Sequence, residues 1–149
     1  GVQCLRQENW PAAIAAFDKA LASEPDHFLA RFGQAMAFLR SGQLSQAKIG
    51  VTACIGQKPK FAWNHVLRSE IYLQMADLVA AAQDLQFALE LKIGSALRPQ
   101  FDAALTALHG AIQGLPADER HRFWDATIAT NLGMHALRTI PLFERLQKD

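Results

Sequence analysis

The chain has 149 residues, of which 50% are hydrophobic and 19% are charged, and its formal net charge is +1. This composition provides enough apolar material for a core and argues against disorder. The near-neutral charge gives no long-range attraction for nucleic acid, and charged or amide side chains interrupt every apolar run before it could span a membrane. We therefore expect one compact domain or a short repeat array, with neither nucleic-acid binding nor membrane insertion.

The first predicted helix follows Asn9. Apolar residues recur from Trp10 at steps of three and four, which predicts a helix that runs to about Ser23. Asn9 suits the N-cap, and Pro11 is tolerated in a first turn because no N–H partner is needed there. Pro25 ends the pattern.

Four further helices are predicted in two pairs. Within each pair about three residues form the turn, and Gly42 in the first turn can adopt the left-handed conformation of a C-cap. Asp26 is expected to open the first of these helices, and Pro59 breaks the chain between the pairs. The predicted bounds are 28–40, 45–57, 62–75 and 78–91.

These helices belong to a pattern that recurs at one constant spacing, called the repeat interval, which separates Pro25 from Pro59 and Pro59 from Ile93. Small side chains recur at Gly1, Ala35 and Ser69, at Ala13, Ala47 and Ala81, and at Ala20, Cys54 and Ala88. Large ones recur at Cys4, Phe38 and Tyr72, at Trp10, Leu44 and Leu78, and at Phe17, Val51 and Leu85. Helices approach to about 8–10 Å only where the crossing side chains are short.

In these slots and in its repeat interval the sequence resembles the tetratricopeptide repeat family, whose unit is a helix–turn–helix. The resemblance covers residues 1–93 and implies an all-α fold, a right-handed superhelix of stacked antiparallel helix hairpins. Because residues 1–7 match the end of a helix, we expect the array to continue upstream. The chain departs from the family where an aromatic and a leucine are usual early in the first helix. Those positions hold Arg31 and Gln34, then His65 and Arg68.

Beyond Ile93 the repeat register fails. Apolar residues from Leu97 to Ile112 form a helical stripe, with Pro99 in its first turn and an end near Gly114. Further predicted elements are a helix capped by Asp118 that carries Phe123, Trp124 and Ile128, a turn at 131–133 and a last helix over 139–146. We interpret 94–149 as a degenerate repeat or helical cap, so that 1–149 form a single domain.

The resemblance implies that the first helix of each pair lines a concave, peptide-binding surface. The residues expected in this groove are Leu29, Phe32, Met36, Leu39, Arg40, Trp63, Val66, Glu70, Leu73 and Gln74. Part of this surface is also expected to pack one repeat on the next. One subgroup of the family grips the C-terminal carboxylate of chaperones, but the corresponding slots hold Val2, Gly33, Trp63 and Leu67. None of these side chains can form charge-assisted bonds to a carboxylate, so we expect a different partner.

Catalytic and metal-binding patterns are not apparent in the sequence. No two of the five histidines are three or four residues apart, the spacing that a helical metal site needs, although His65 is expected near the concave surface. Cys4 and Cys54 are expected to be buried thiols that act as small hydrophobes, with a disulfide between them as the alternative. No phosphate-binding loop or nucleophile elbow is present. We expect no enzyme activity, metal or cofactor.

These patterns favour a non-catalytic protein–protein interaction module that binds a peptide or helix of an unidentified protein in an apolar groove. One alternative is the scaffold or regulatory arm of a larger enzyme, such as a kinase or transferase. Another is a homo-oligomer in which the C-terminal helices of one copy fill the groove of a second copy. No signal peptide is recognisable, and we expect a cytoplasmic protein.

Overall fold

A computed structural model describes the backbone of residues 9–130 and the side chains of residues 9–126. These residues form seven α-helices and no β-strand, which confirms the all-α class for this part of the chain. The helices are α1 (Trp10–Ser23), α2 (Phe28–Arg40), α3 (Leu44–Gln57), α4 (Ala62–Gln74), α5 (Leu78–Glu90), α6 (Arg98–Gln113) and α7 (Ala117–Thr130). None of them is both long and apolar enough to cross a bilayer.

The predicted helix bounds agree with the structure to within one residue from α1 to α5. α1 and α2 occupy the predicted residues, whereas α3 begins one residue early and α4 and α5 each end one residue early. The predicted helix at 1–7, the turn at 131–133 and the helix at 139–146 lie outside the described residues.

The helix caps confirm one prediction and correct two. Asn9 caps α1, because its Oδ1 accepts a hydrogen bond from the Ala12 amide at 3.3 Å. α2 is capped by His27 rather than Asp26, since the imidazole Nδ1 accepts from the Ala30 amide at 3.1 Å. Asp118 lies within the first turn of α7, where its charge interacts favourably with the helix dipole.

The turns inside the two central hairpins have the same backbone geometry, one repeat interval apart. Gly42 has φ 81° and Ala76 has φ 61°, both in the left-handed region. In each turn the next amide donates to a carbonyl five residues earlier, Gln43 to Phe38 and Asp77 to Tyr72, at 2.9 Å in both cases. The left-handed C-cap predicted at Gly42 is therefore confirmed, and the second hairpin achieves it with an alanine.

Helices adjacent in the sequence pack together, and some more distant pairs also make contact. In the α4–α5 hairpin, His65 contacts Phe87 and Arg68 contacts Asp84, so the two helices run antiparallel. α2 also packs on α4, α4 on α6, and α5 on α7. α2, α4 and α6 consequently lie side by side.

The recurring small residues are buried where helices cross. Within residues 9–126, Ala13, Ala35, Ala47, Cys54, Ser69, Ala81 and Ala88 are fully buried and Ala20 is partly exposed, while Gly1 lies outside the described residues. Phe17, Val51 and Leu85 fill the large slots of the core. A Cβ at Gly33 would lie 2.5 Å from the ring of Phe17, so α1 and α2 pack closely at this point. The predicted burial pattern is confirmed for these positions.

Candidate functional site

The candidate site is a groove between α2, α4 and α6, formed by two adjoining cavities. The larger one, called the open cleft, has a volume of about 460 Å³. It is lined from α2 and α4 by Arg40, Glu70, Leu73 and Gln74, and from α6 by Pro99, Gln100, Ala103, Ala104 and Ala107. The smaller one, called the inner cavity, measures about 100 Å³. It is lined by Phe32, Met36, Arg40, Trp63, Val66, Leu67, Glu70 and Gln100.

The structure brings eight of the ten residues expected in a groove together at these two cavities. They are Phe32, Met36, Arg40, Trp63, Val66, Glu70, Leu73 and Gln74. Leu39 is instead buried in the core with Ala35, Val51 and Ile71, at 2% exposure. Leu29 is 70% exposed and lines neither cavity. Val66 is 2% exposed and forms a wall of the inner cavity from within the core.

Sequence reasoning did not anticipate the contribution of α6. Gln100 borders both cavities, while Pro99, Ala103 and Ala107 form the far side of the open cleft. The repeat register ends before this helix, so no repeat slot identified these positions. A usable signal was present in the helical spacing, because residues 100, 103 and 107 lie beside the predicted core stripe of α6.

Aromatic contacts support the α2 side of the inner cavity. The ring centroids of Phe28 and Phe61 are 5.5 Å apart, and each lies 6.0 Å from that of Phe32. The Lys58 ammonium stands 4.4 Å from the centroid of Phe28, a distance suited to a cation–π contact. These neighbours restrict the ring of Phe32, which is itself only half-buried.

One ion pair stands where the two cavities meet. Arg40 Nη2 and Glu70 Oε2 are 3.9 Å apart, and the two side chains are 49% and 24% exposed. Burial raises the pKa of the Glu70 carboxyl, and attraction to Arg40 offsets only part of this effect. The groove therefore contains a partly buried carboxylate that lies too far from Arg40 for a direct hydrogen bond.

The unusual polar residues of α4 face α5 rather than the groove. Both oxygens of Asp84 accept hydrogen bonds from the Arg68 guanidinium at 2.8 Å, which raises the pKa of Arg68. His65 was expected near the concave surface, but its ring is buried against Phe87, with centroids 4.5 Å apart. Its Nε2 donates to the Pro59 carbonyl at 2.8 Å, and its Nδ1 lies 3.9 Å from Asp84. Helical periodicity explains the correction, since 63, 66 and 70 share a different face from 65 and 68.

The structure confirms that Cys54 is a buried free thiol, while Cys4 lies outside the described residues. Burial raises the pKa of Cys54 to about 11, although the Arg31 guanidinium acts in the opposite direction. The thiol therefore stays protonated at neutral pH and packs as a small hydrophobic group. Within residues 9–126, no three His, Cys, Asp or Glu side chains are placed to hold a metal ion together.

No protein-family model matches the chain, and a search of curated proteins finds no match. The function of the groove must therefore be inferred from its own residues.

Proposed function

We propose that the chain is a non-catalytic protein–protein interaction module, a tetratricopeptide-like array of stacked antiparallel hairpins that forms a right-handed superhelix. Its groove binds a segment of a partner protein. The recurrence of the same turn at Gly42 and Ala76, one repeat interval apart, supports the repeat assignment. The side-by-side packing of α2, α4 and α6 supports a continuous surface made by alternate helices.

The observation that carries the proposal is the shape and lining of the inner cavity. Phe32 and Trp63 are each half-buried and line the inner cavity of about 100 Å³. This cavity adjoins the open cleft of about 460 Å³. Aromatic side chains around a concave pocket are typical anchors of protein interfaces. Covering them stabilises a complex by about 25 cal/mol per Å² of apolar area, before the costs of ordering are subtracted.

A selection from a random peptide library tests this proposal directly. Phage-displayed linear dodecapeptides are panned on the wild-type protein, and enriched peptides are measured by fluorescence polarisation. We expect Trp63→Ala and Phe32→Ala each to weaken binding at least tenfold, equivalent to about 1.4 kcal/mol, with helicity retained. Ile49→Ala is the matched control, because Ile49 is 67% exposed on α3 and lines neither cavity.

The outcomes of this experiment are distinct. Peptides that bind Trp63→Ala and Phe32→Ala as tightly as the wild type would place recognition outside the groove and overturn the proposal. Light scattering on the same samples gives the oligomeric state. A dimer that Trp63→Ala dissociates would identify the groove as a self-assembly surface instead.

A further inference from the structure

The two cavities of the groove share a partly buried carboxylate, whose side chain is 24% exposed. Glu70 lines both cavities, and its closest charged contact among the described residues is Arg40 at 3.9 Å. This separation is too long for a direct hydrogen bond. A partly buried carboxylate without a close donor is stabilised by a donor that a bound molecule supplies. The raised pKa of Glu70 has the same cause, since burial outweighs the attraction of Arg40.

Arg40 differs from Glu70 in its access to water. Its side chain is 49% exposed, and it lies in the last turn of α2, where the helix dipole favours a cation. A half-exposed guanidinium remains hydrated, so exchanging its water for an acidic group of a partner gains little. Between the two charges, the groove therefore favours a partner cation at Glu70 over a partner anion at Arg40.

Two exposed amides indicate the conformation of the bound segment. Gln74 lines the open cleft, and Gln100 lines both cavities. A glutamine amide both donates and accepts hydrogen bonds, so it can pair with backbone N–H and C=O groups. An extended segment offers such groups unpaired, whereas a helix satisfies most of its own. The pair of amides therefore favours an extended ligand.

We propose that the groove binds an extended protein segment in which a large apolar residue stands within two positions of a lysine or arginine. This inference rests on the proposed function. The apolar side chain occupies the inner cavity between Phe32 and Trp63, and the cation lies against Glu70. Residues i and i+2 of an extended segment point to the same side and are about 6–7 Å apart. A cavity of about 100 Å³ corresponds to roughly three water volumes and suits one side chain.

The test uses dodecapeptides enriched on the wild-type protein and a double-mutant cycle. In the peptide, the lysine or arginine is replaced by norleucine; in the protein, Glu70 is replaced by glutamine. We expect the peptide substitution to weaken binding at least tenfold on the wild type and less than twofold on Glu70→Gln. Glu70→Met is a second variant, because methionine occupies the position one repeat interval earlier. The exposed Glu119→Gln, which makes the same charge change on α7, is the control.

The Arg40→Gln variant distinguishes recognition of a partner cation by Glu70 from recognition of a partner anion by Arg40. We expect this variant to bind the selected peptides at least as tightly as the wild type, because a competing cation has been removed. Selected peptides rich in Asp or Glu whose binding requires Arg40 would overturn the inference. An equal effect of norleucine on the wild type and on both Glu70 variants would also overturn it.

The result distinguishes this inference from the proposed function. Peptides that require Trp63 but carry no basic residue, or whose basic residue is not coupled to Glu70, would remove the charge inference and leave the binding module intact. If the selection yields no peptide that binds the wild type more tightly than it binds the Trp63→Ala variant, both proposals fail. Circular dichroism of each variant verifies that lost binding does not reflect lost helicity.

Discussion

The hairpins α2–α3 and α4–α5 have turns of the same backbone geometry but differ where their two helices cross. In the first hairpin Gly50 packs against Ala35, and a Cβ at Gly50 would lie 3.3 Å from the Cβ of Ala35. The position one repeat interval after Gly50 is Asp84, whose carboxylate is held by two hydrogen bonds from Arg68. One crossing is closed by small residues, and the other contains an ion pair between the buried Asp84 and the partly buried Arg68. Two hairpins with the same turn geometry can therefore have different side-chain chemistry where their helices cross.

The difference also shows which features of a hairpin are local. The left-handed turn depends on a few consecutive residues and recurs at Gly42 and Ala76. The crossing depends on side chains from two helices, and a change on one helix requires a change on the other. Removal of one partner of such an ion pair leaves the other charge uncompensated. This contrast is tested below, from the largest expected effect to the smallest.

Removal of one member of the ion pair should have the largest effect. Arg68→Leu leaves the Asp84 carboxylate, which is only 6% exposed, without its bidentate partner, and we expect the free energy of unfolding to fall by about 3–5 kcal/mol. Arg68→Leu combined with Asp84→Ala removes both charges and is expected to recover most of this loss. Urea denaturation of the wild type and the two variants measures both quantities. A single variant as stable as the wild type would show that the pair contributes nothing.

Enlarged residues at the small slots should destabilise both hairpins. Ala47 and Ala81 are fully buried at equivalent positions. We expect Ala47→Leu and Ala81→Leu to cost about 1–3 kcal/mol each, because extra volume in a close-packed crossing forces neighbours to move. Thermal unfolding followed by circular dichroism provides the measurement. A large effect in one hairpin alone would mean that their spacing differs more than their turns suggest.

The turns allow a reciprocal exchange of opposite sign. Gly42→Ala places a Cβ in the left-handed region and is expected to destabilise by about 1 kcal/mol. Ala76→Gly removes the same strain and is expected to stabilise by about 0.5–1 kcal/mol, since the gain is partly offset by backbone entropy. Chemical denaturation midpoints compare the two variants. Shifts of the same sign would contradict the equivalence of the turns.

The smallest predicted effect concerns Glu70, whose equivalent in the first hairpin is Met36. The pKa of Glu70 is higher in the folded chain than in the unfolded chain, so the folded state binds the proton more tightly. Stability therefore falls as the pH rises through the interval between the two pKa values. Above this interval we expect Glu70→Gln to be more stable than the wild type, by no more than about 1 kcal/mol. The advantage should disappear below it, as measured by urea midpoints across pH; an advantage that grows on acidification would reverse the sign.

Helix positions were predictable because their signals are local. Asn9, Pro25, Gly42 and Pro59 act within a few residues, and the bounds of α1 to α5 follow from them to within one residue. The choice of His27 over Asp26 as a cap was not predictable, because both side chains can accept the same amide hydrogen bond. The residues near a helix start therefore predict its position, but they do not predict which of two neighbouring side chains caps it.

The side-chain partners and half of the groove were harder to anticipate. Arg68 and Gln34 occupy equivalent repeat slots, yet Arg68 pairs forward with Asp84 and Gln34 donates backward to Asp18. The direction depends on where an acid stands on a neighbouring helix, which the repeat slots do not encode. The α6 wall, with Gln100 at its centre, lies beyond the end of the register. Eight residues of α2 and α4 could be placed at the groove because the register extends that far.

The hairpins α2–α3 and α4–α5 are each hydrogen-bonded to the loop that precedes them. Arg31 Nη2 donates to the carbonyl of Pro25 at 2.7 Å, and His65 Nε2 donates to that of Pro59 at 2.8 Å. The bond recurs at the repeat interval but crosses the loop that precedes the hairpin. An exchangeable cassette cut from this array should consequently begin at Pro25 and end at Lys58. A segment that began at the first helical residue would lack the proline carbonyl that accepts this hydrogen bond.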